Sequence, residues 1–325
     1  MNNNEKKENL NSHDLLFTSW TFGEDTNVSK LDEAALLEDE EKNLKLKLSY
    51  FYPTHVLPHP WWGNVENPEI IVLAKNPSYA PIDDEKDELD KEFKDDLMEN
   101  IKNKDKSLNL FKFINTETFK WWKETIGELY KEGDDDHSFI KKVGFFNLCG
   151  YHSEEFKQIK KLKEKNQILK DENFKDFFKR FKLLNETNKF IYKYNYKYLP
   201  TQNAVGLHVQ KLINNPSTKY IIVIWGYDKW VDLGVDFSNA KDKLLIVNKY
   251  NYRNRIITSA HKITNRRLKQ DITDFCDDIK IKTDLEKENK AREIQKKLDE
   301  KYSSLYEDIR KVIYLCSDNI QGRPL

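Results

Sequence analysis

The chain has 325 residues, of which 38% are hydrophobic and 13% aromatic, enough to bury a sizeable core although 34% are charged. Chains that stay disordered are short of large apolar side chains, so wholesale disorder is excluded, and the length fits one large domain with insertions or two modest ones. Fifty-five basic and fifty-five acidic residues cancel, but not locally: residues 24–41 carry eight acids and one base, and 249–269 carry seven bases and no acid.

Taken from the amino end, residues 1–45 read as an acidic, weakly ordered lead-in with one short helix around LDEAALLEDEE. Four prolines then bracket an irregular aromatic segment, YFYPTHVLPHPWWGN. From 46 to 280 the pattern is α/β. Four short apolar runs, EIIVLAKN (69–76), KVGFFNLCG (142–150), KYIIVIWGY (219–227) and NRIITSAH (254–261), are separated by helical stretches, and KLLIVNKY (243–250) offers a fifth. Near-continuous apolar runs alternating with helices suggest strands covered on both faces. The expected fold is therefore a three-layer α/β/α sandwich around a mainly parallel sheet of four to five strands. Helices are expected over DELDKEFKDDLMENI, ETFKWWKETIGELY, the lysine-rich 155–190 and NAVGLHVQKLI. Residues 281–325 form a C-terminal extension whose long charged helix carries apolar positions at helical spacing, suited to a protein partner or self-association.

Several function classes are excluded. The ten glycines contain neither GxGxxG nor the GK pair of a P-loop, so phosphate-cradling loops of the usual kinds are missing and no cofactor is expected. Cys149, Cys276 and Cys316 are too few and too scattered for a disulfide framework or a four-cysteine metal site. The longest apolar run falls far short of the ~20 residues that span a bilayer, and the first ten residues lack an apolar signal core. A cytoplasmic protein that does not enter membranes is expected.

Polar residues follow the apolar runs, at the edge where open α/β sheets place ligands. They are Asn76-Pro77-Ser78-Tyr79; Asn147 with Gly150-Tyr151-His152-Ser153; Trp225-Gly226-Tyr227; and His261-Lys262 through Arg266-Arg267. In order and type, VLAKNPSYA, VGFFNLCG, IIVIWGYDKW and IITSAHKIT resemble the uracil-DNA glycosylase superfamily, across about 200 residues. The resemblance implies a DNA glycosylase that flips a nucleotide from the stack and hydrolyses its N-glycosidic bond. It also implies roles: Asn76 positions the water and His261 donates to the departing base as catalytic residues. Asn147 reads the base edge, Ser78, Tyr79 and His152 shape the base pocket, and Lys262, Arg266 and Arg267 grip the DNA.

Two departures matter. Asn76 stands where the enzymes most active on uracil carry Asp, and Lys262-Ile263-Thr264 replaces a proline- and serine-rich loop, so the likeness is to the atypical branches. Such members suit repair or defence against foreign DNA. NPSY also resembles the motif of DNA adenine methyltransferases, although the glycine-rich loop for their cofactor is missing. A third reading is a non-catalytic module that binds nucleic acid or protein through the lysine-rich helix and the alternating Tyr192, Tyr194, Tyr196 and Tyr198, which can stack bases. Phe111 and Phe113 are further candidates for stacking on a flipped base.

Overall fold

The computed structural model describes residues 12–22, 27–36, 38–39, 44–77, 87, 90–103, 106–120, 138–153, 159, 162–188, 192–224 and 226–246. The main sheet has five strands, numbered after a two-residue ladder of β1 (Glu38–Asp39) and β2 (Leu44–Lys45). They are β3 (Trp61–Gly63), β4 (Ile70–Ala74), β5 (Val143–Asn147), β6 (Tyr220–Val223) and β7 (Leu244–Ile246), in the spatial order β3-β5-β4-β6-β7. From β5 to β7 the pairs are parallel, with Ile70 opposite Val143, Ala74 opposite Asn147 and Leu73 opposite Val223. The fold is α/β with a mixed sheet. Three of the four expected runs are strands, the fifth run supplies β7, and NRIITSAH lies outside the described residues.

All of β4 and β5 is buried, as expected of Ile-, Val- and Phe-rich runs with no polar alternation. The aromatic segment is not wholly irregular, because Trp61–Gly63 pairs antiparallel with β5, Trp62 stacking on Phe145 at 3.6 Å between ring centroids. Its prolines stop just short of the strand, where no ladder donor is needed. Among the described residues no helix is long and apolar enough to cross a membrane.

Several of the described residues before 45 belong to the hydrophobic core. Helix α1 (Ser12–Thr18) buries Leu15, Leu16 and Phe17, and Trp20 follows it in the same cluster. Phe17 and Trp20 meet Trp61 at 5.0 and 6.3 Å between centroids. Acidic composition downstream hid a short apolar stripe. Helix α2 (Lys30–Ala34) covers the start of the expected short helix, whereas Glu38–Asp39 of the same stretch is β1, and α2 is capped by Ser29, whose side chain accepts from the Asp32 amide. Beyond β4, α3 (Lys91–Lys102) is capped by Asp90, and α4 (Ser138–Lys142) leads into β5. Helices α5 (Lys165–Ile168) and α6 (Glu172–Asn188) fall in the lysine-rich stretch. The expected C-terminal helix lies outside the described residues.

Helix α7 (Pro200–Asn214) packs against α1 and β5, and all but two of its residues are buried. Pro at its first turn needs no donor there, and Gln202 Oε1 accepts from the Leu199 amide. Its buried polar side chains are bonded. Burial drives the His208 pKa down to about 3, so the ring is neutral, Nε2–H donates to the Val65 carbonyl at 2.8 Å and Nδ1 accepts from the Ser12 hydroxyl at 3.0 Å.

A second buried group caps the same helix. Asp32 accepts from the Thr201 amide at 3.0 Å, the Thr201 hydroxyl at 2.6 Å and the Tyr151 hydroxyl at 2.8 Å. Burial outweighs these donors and pushes its carboxyl from 3.8 up to about 7. With the folded pKa raised, the stability this group contributes is full below about 3.8, falls as pH rises, and is gone above about 7. Urea midpoints between pH 4 and 8 are expected to show this decline, worth a few kcal/mol at about 1.4 kcal/mol per unit, and Asp32→Asn to flatten it. Identical pH slopes in the two proteins would refute the assignment.

Two expected nucleic-acid surfaces read differently in the fold. Tyr192 and Tyr198 are buried and Tyr194 and Tyr196 half-buried, and the rings of Tyr192, Tyr194 and Tyr196 stand against Phe174, Phe177, Phe178 and Phe181 of α6. The Tyr198 hydroxyl donates to Asp232, and the rings of Tyr192, Tyr194 and Tyr196 pack an α6 face, which leaves little of them open for stacking on bases. On α6 itself Lys175 pairs with Glu172, Arg180 with Asp176 and Lys182 with Glu186, leaving this helix a largely self-neutralised solvated face.

Candidate functional site

Where β5 lies on one side of β4 and β6 on the other, successive connections leave in opposite directions, and ligands of open α/β sheets sit beyond the carboxyl ends of strands at such a point. That edge carries Asn76, Asn147 and His152. All three are buried, at 7%, 5% and 3% exposure.

The 148–153 loop is fastened along the end of β4. Leu148 donates to Ala74, Cys149 to Lys75 and Ser153 to Pro77, all backbone to backbone. The Asn76 amide nitrogen in turn donates to Ser153 O at 3.0 Å, Ser153 Oγ at 3.1 Å and Pro77 O at 2.8 Å. Among the described residues no donor is bonded to its Oδ1. Because carbonyl oxygens accept only, they decide which way the amide faces and leave Oδ1 as the atom available to a ligand or water.

Asn147 ends β5 directly opposite Ala74, with its backbone amide on Pro60 O at 2.8 Å and its Nδ2 on His59 O at 2.6 Å. One amide hydrogen is therefore spent on the fold. His59, which the sequence reading did not single out, joins the site: its ring stands edge-on to His152 at 4.5 Å and edge-on to Phe93 at 5.8 Å. Burial, aided by His152, holds the His59 pKa well below its usual value, so the ring is neutral near pH 7. The signal was its place between Pro58 and Pro60 in the bracketed aromatic segment.

Glycines make the approach possible. A Cβ at Gly150 would come within 2.7 Å of the Trp20 ring and 3.0 Å of Pro60. Gly226, at φ +74, lies under the Lys75 side chain, where a Cβ would meet Cγ at 2.0 Å. Cys149 is no nucleophile here, since burial pushes its thiol up to about 12.

Several expected site residues lie outside the described residues: Ser78, Tyr79 and Trp225, and the whole of His261, Lys262, Arg266 and Arg267. Phe113 is buried against Phe93 at 5.2 Å, a core contact, and the Phe111 side chain is outside the described set. A recess of about 480 Å³ opens at the other end of the sheet, lined by His13, Gly63, Glu66, Lys106 and Lys141 among others. It lies beside the start of β5, away from Asn76. Among the described residues, no group of three His, Cys, Asp or Glu side chains is arranged to hold a metal ion.

The chemistry this edge offers is neutral. An amide oxygen, a second amide and a neutral imidazole can orient a water or the polar edge of a ligand, whereas no carboxylate stands at the Asn76 position to act as a strong base. No family model, curated protein or solved structure matches this chain.

Proposed function

We propose that the protein is a DNA glycosylase that removes a uracil-like or modified base, flipped from DNA into the carboxyl edge of a three-layer α/β/α sandwich. As the N-glycosidic bond breaks, the sugar gains positive character and the base leaves with negative charge. In this reading Asn76 Oδ1 holds the attacking water, Asn147 and His152 with Ser78 and Tyr79 enclose the base, and His261 donates to its oxygen. Lys262, Arg266 and Arg267 take the phosphates. The observation that carries the reading is the placement of Asn76 just past the end of β4 and Asn147 at the end of β5, on the carboxyl edge of adjacent parallel strands beside the switch point of the sheet.

Oligonucleotides carrying uracil or modified bases, treated with the protein and then with alkali, test it directly. Cleavage at the modified position is expected. Binding to the same DNA is expected to weaken with salt at a log–log slope of about −0.9 per phosphate neutralised. No cleavage on any such substrate, or no DNA binding at low salt, would overturn the proposal.

A further inference from the structure

We propose that Asp32 is a positioning residue for the Asn76 site, acting through Tyr151. The inference rests on the role given to Asn76 above, although the link it describes has its own readout.

Asp32 is fully buried and lies far from Asn76 in sequence, yet the two are joined by a short chain of bonds. Its Oδ2 accepts from the Tyr151 hydroxyl at 2.8 Å, and that hydroxyl also accepts from the Ser29 amide at 3.1 Å. The Tyr151 ring stacks on Tyr52 at 5.3 Å and leans on Trp20 at 5.2 Å, so both ring plane and hydroxyl are held. Two residues on, Ser153 presents its carbonyl and hydroxyl to the Asn76 amide nitrogen.

Capping α7 does not by itself call for a carboxyl that reaches a third element, because a serine or asparagine satisfies a helix start. What the Tyr151 bond adds is a fixed loop. The two orientations of an asparagine amide are almost equal in shape, and only bonded partners choose between them. Ser153 makes that choice for Asn76. Tyr151 keeps Ser153 in place, and Asp32 keeps Tyr151 in place.

The test uses the full-length chain labelled with ¹⁵N. The side-chain amide pair of Asn76, assigned by its loss in Asn76→Asp, is followed in Tyr151→Phe and Asp32→Asn. Both variants are expected to shift that pair and to speed its exchange with water about tenfold, since local opening sets such rates. Tyr198→Phe removes a comparable bond, 2.7 Å from Tyr198 to Asp232, and is expected to leave the pair unmoved. Unchanged Asn76 signals in both folded variants, or an equal response in Tyr198→Phe, would overturn the proposal. On a DNA substrate, Tyr151→Phe is expected to slow base release about tenfold with binding kept, as small misplacements of a reacting group do. Asn76 signals that respond while neither protein releases a base would uphold the positioning link and refute the glycosylase reading.

Discussion

Deleting residues 1–20 is expected to give a chain that no longer folds, and not a trimmed but stable domain. The deletion removes Leu15, Leu16, Phe17 and Trp20, all at 9% exposure or less. Burying a large apolar side chain is worth roughly 1.5–3 kcal/mol, so the loss is about 6–12 kcal/mol, comparable with the ~5–15 kcal/mol that holds a typical domain together. It also uncovers Trp61 on β3 and strips the Ser12 partner from His208. Leu16→Ala gives a graded version, expected to cost about 2–5 kcal/mol in urea unfolding. A deleted protein with a cooperative transition near that of the full chain would show that the segment merely rests on a core complete without it.

Replacing Asn76 by Ala is expected to slow base release about 10²-fold or more while DNA binding is nearly kept, because the lost oxygen acts on the reacting water and not on the phosphates. Asn76→Asp separates mechanism from packing. A carboxylate accepts a proton from water better than an amide does, so this variant is expected to keep or raise activity on a pyrimidine substrate. It also loses the donor that meets Ser153 and Pro77, and its oxygens would face those carbonyls. A rise in activity despite that lost anchoring would speak strongly for the water-positioning role. If Ala and Asp variants behave alike on a confirmed substrate, both remaining folded, Asn76 does not position the water. Single-turnover rates at saturating protein make the comparison, since they separate chemistry from binding.

What could be read along the chain was local. Ile70–Ala74, Val143–Asn147 and Tyr220–Val223 are legible as buried strands because uninterrupted apolar runs of that length must be covered on both faces. The helices over DELDKEFKDDLMENI and NAVGLHVQKLI are legible too, but their starts at Lys91 and Pro200 lie a few residues from where the pattern puts them. Asn76, Asn147 and His152 stood out because polar residues directly beyond such strands fall at one edge of a parallel sheet. Tertiary structure alone decided the rest. The antiparallel pairing of Trp61–Gly63, the order β5-β4-β6-β7 and the place of α1 in the core depend on which apolar faces meet, and composition does not encode that. Asp32 reads as one acid among eight in residues 24–41, yet its partner Thr201 stands 169 residues away, and no local pattern marks such a bond. The direction of the Asn76 amide is of the same kind. Its residue type is written in the chain, but which of its two atoms faces the site is chosen by carbonyl oxygens, one of them on a loop 77 residues further on, because only an acceptor there can hold the amide hydrogens.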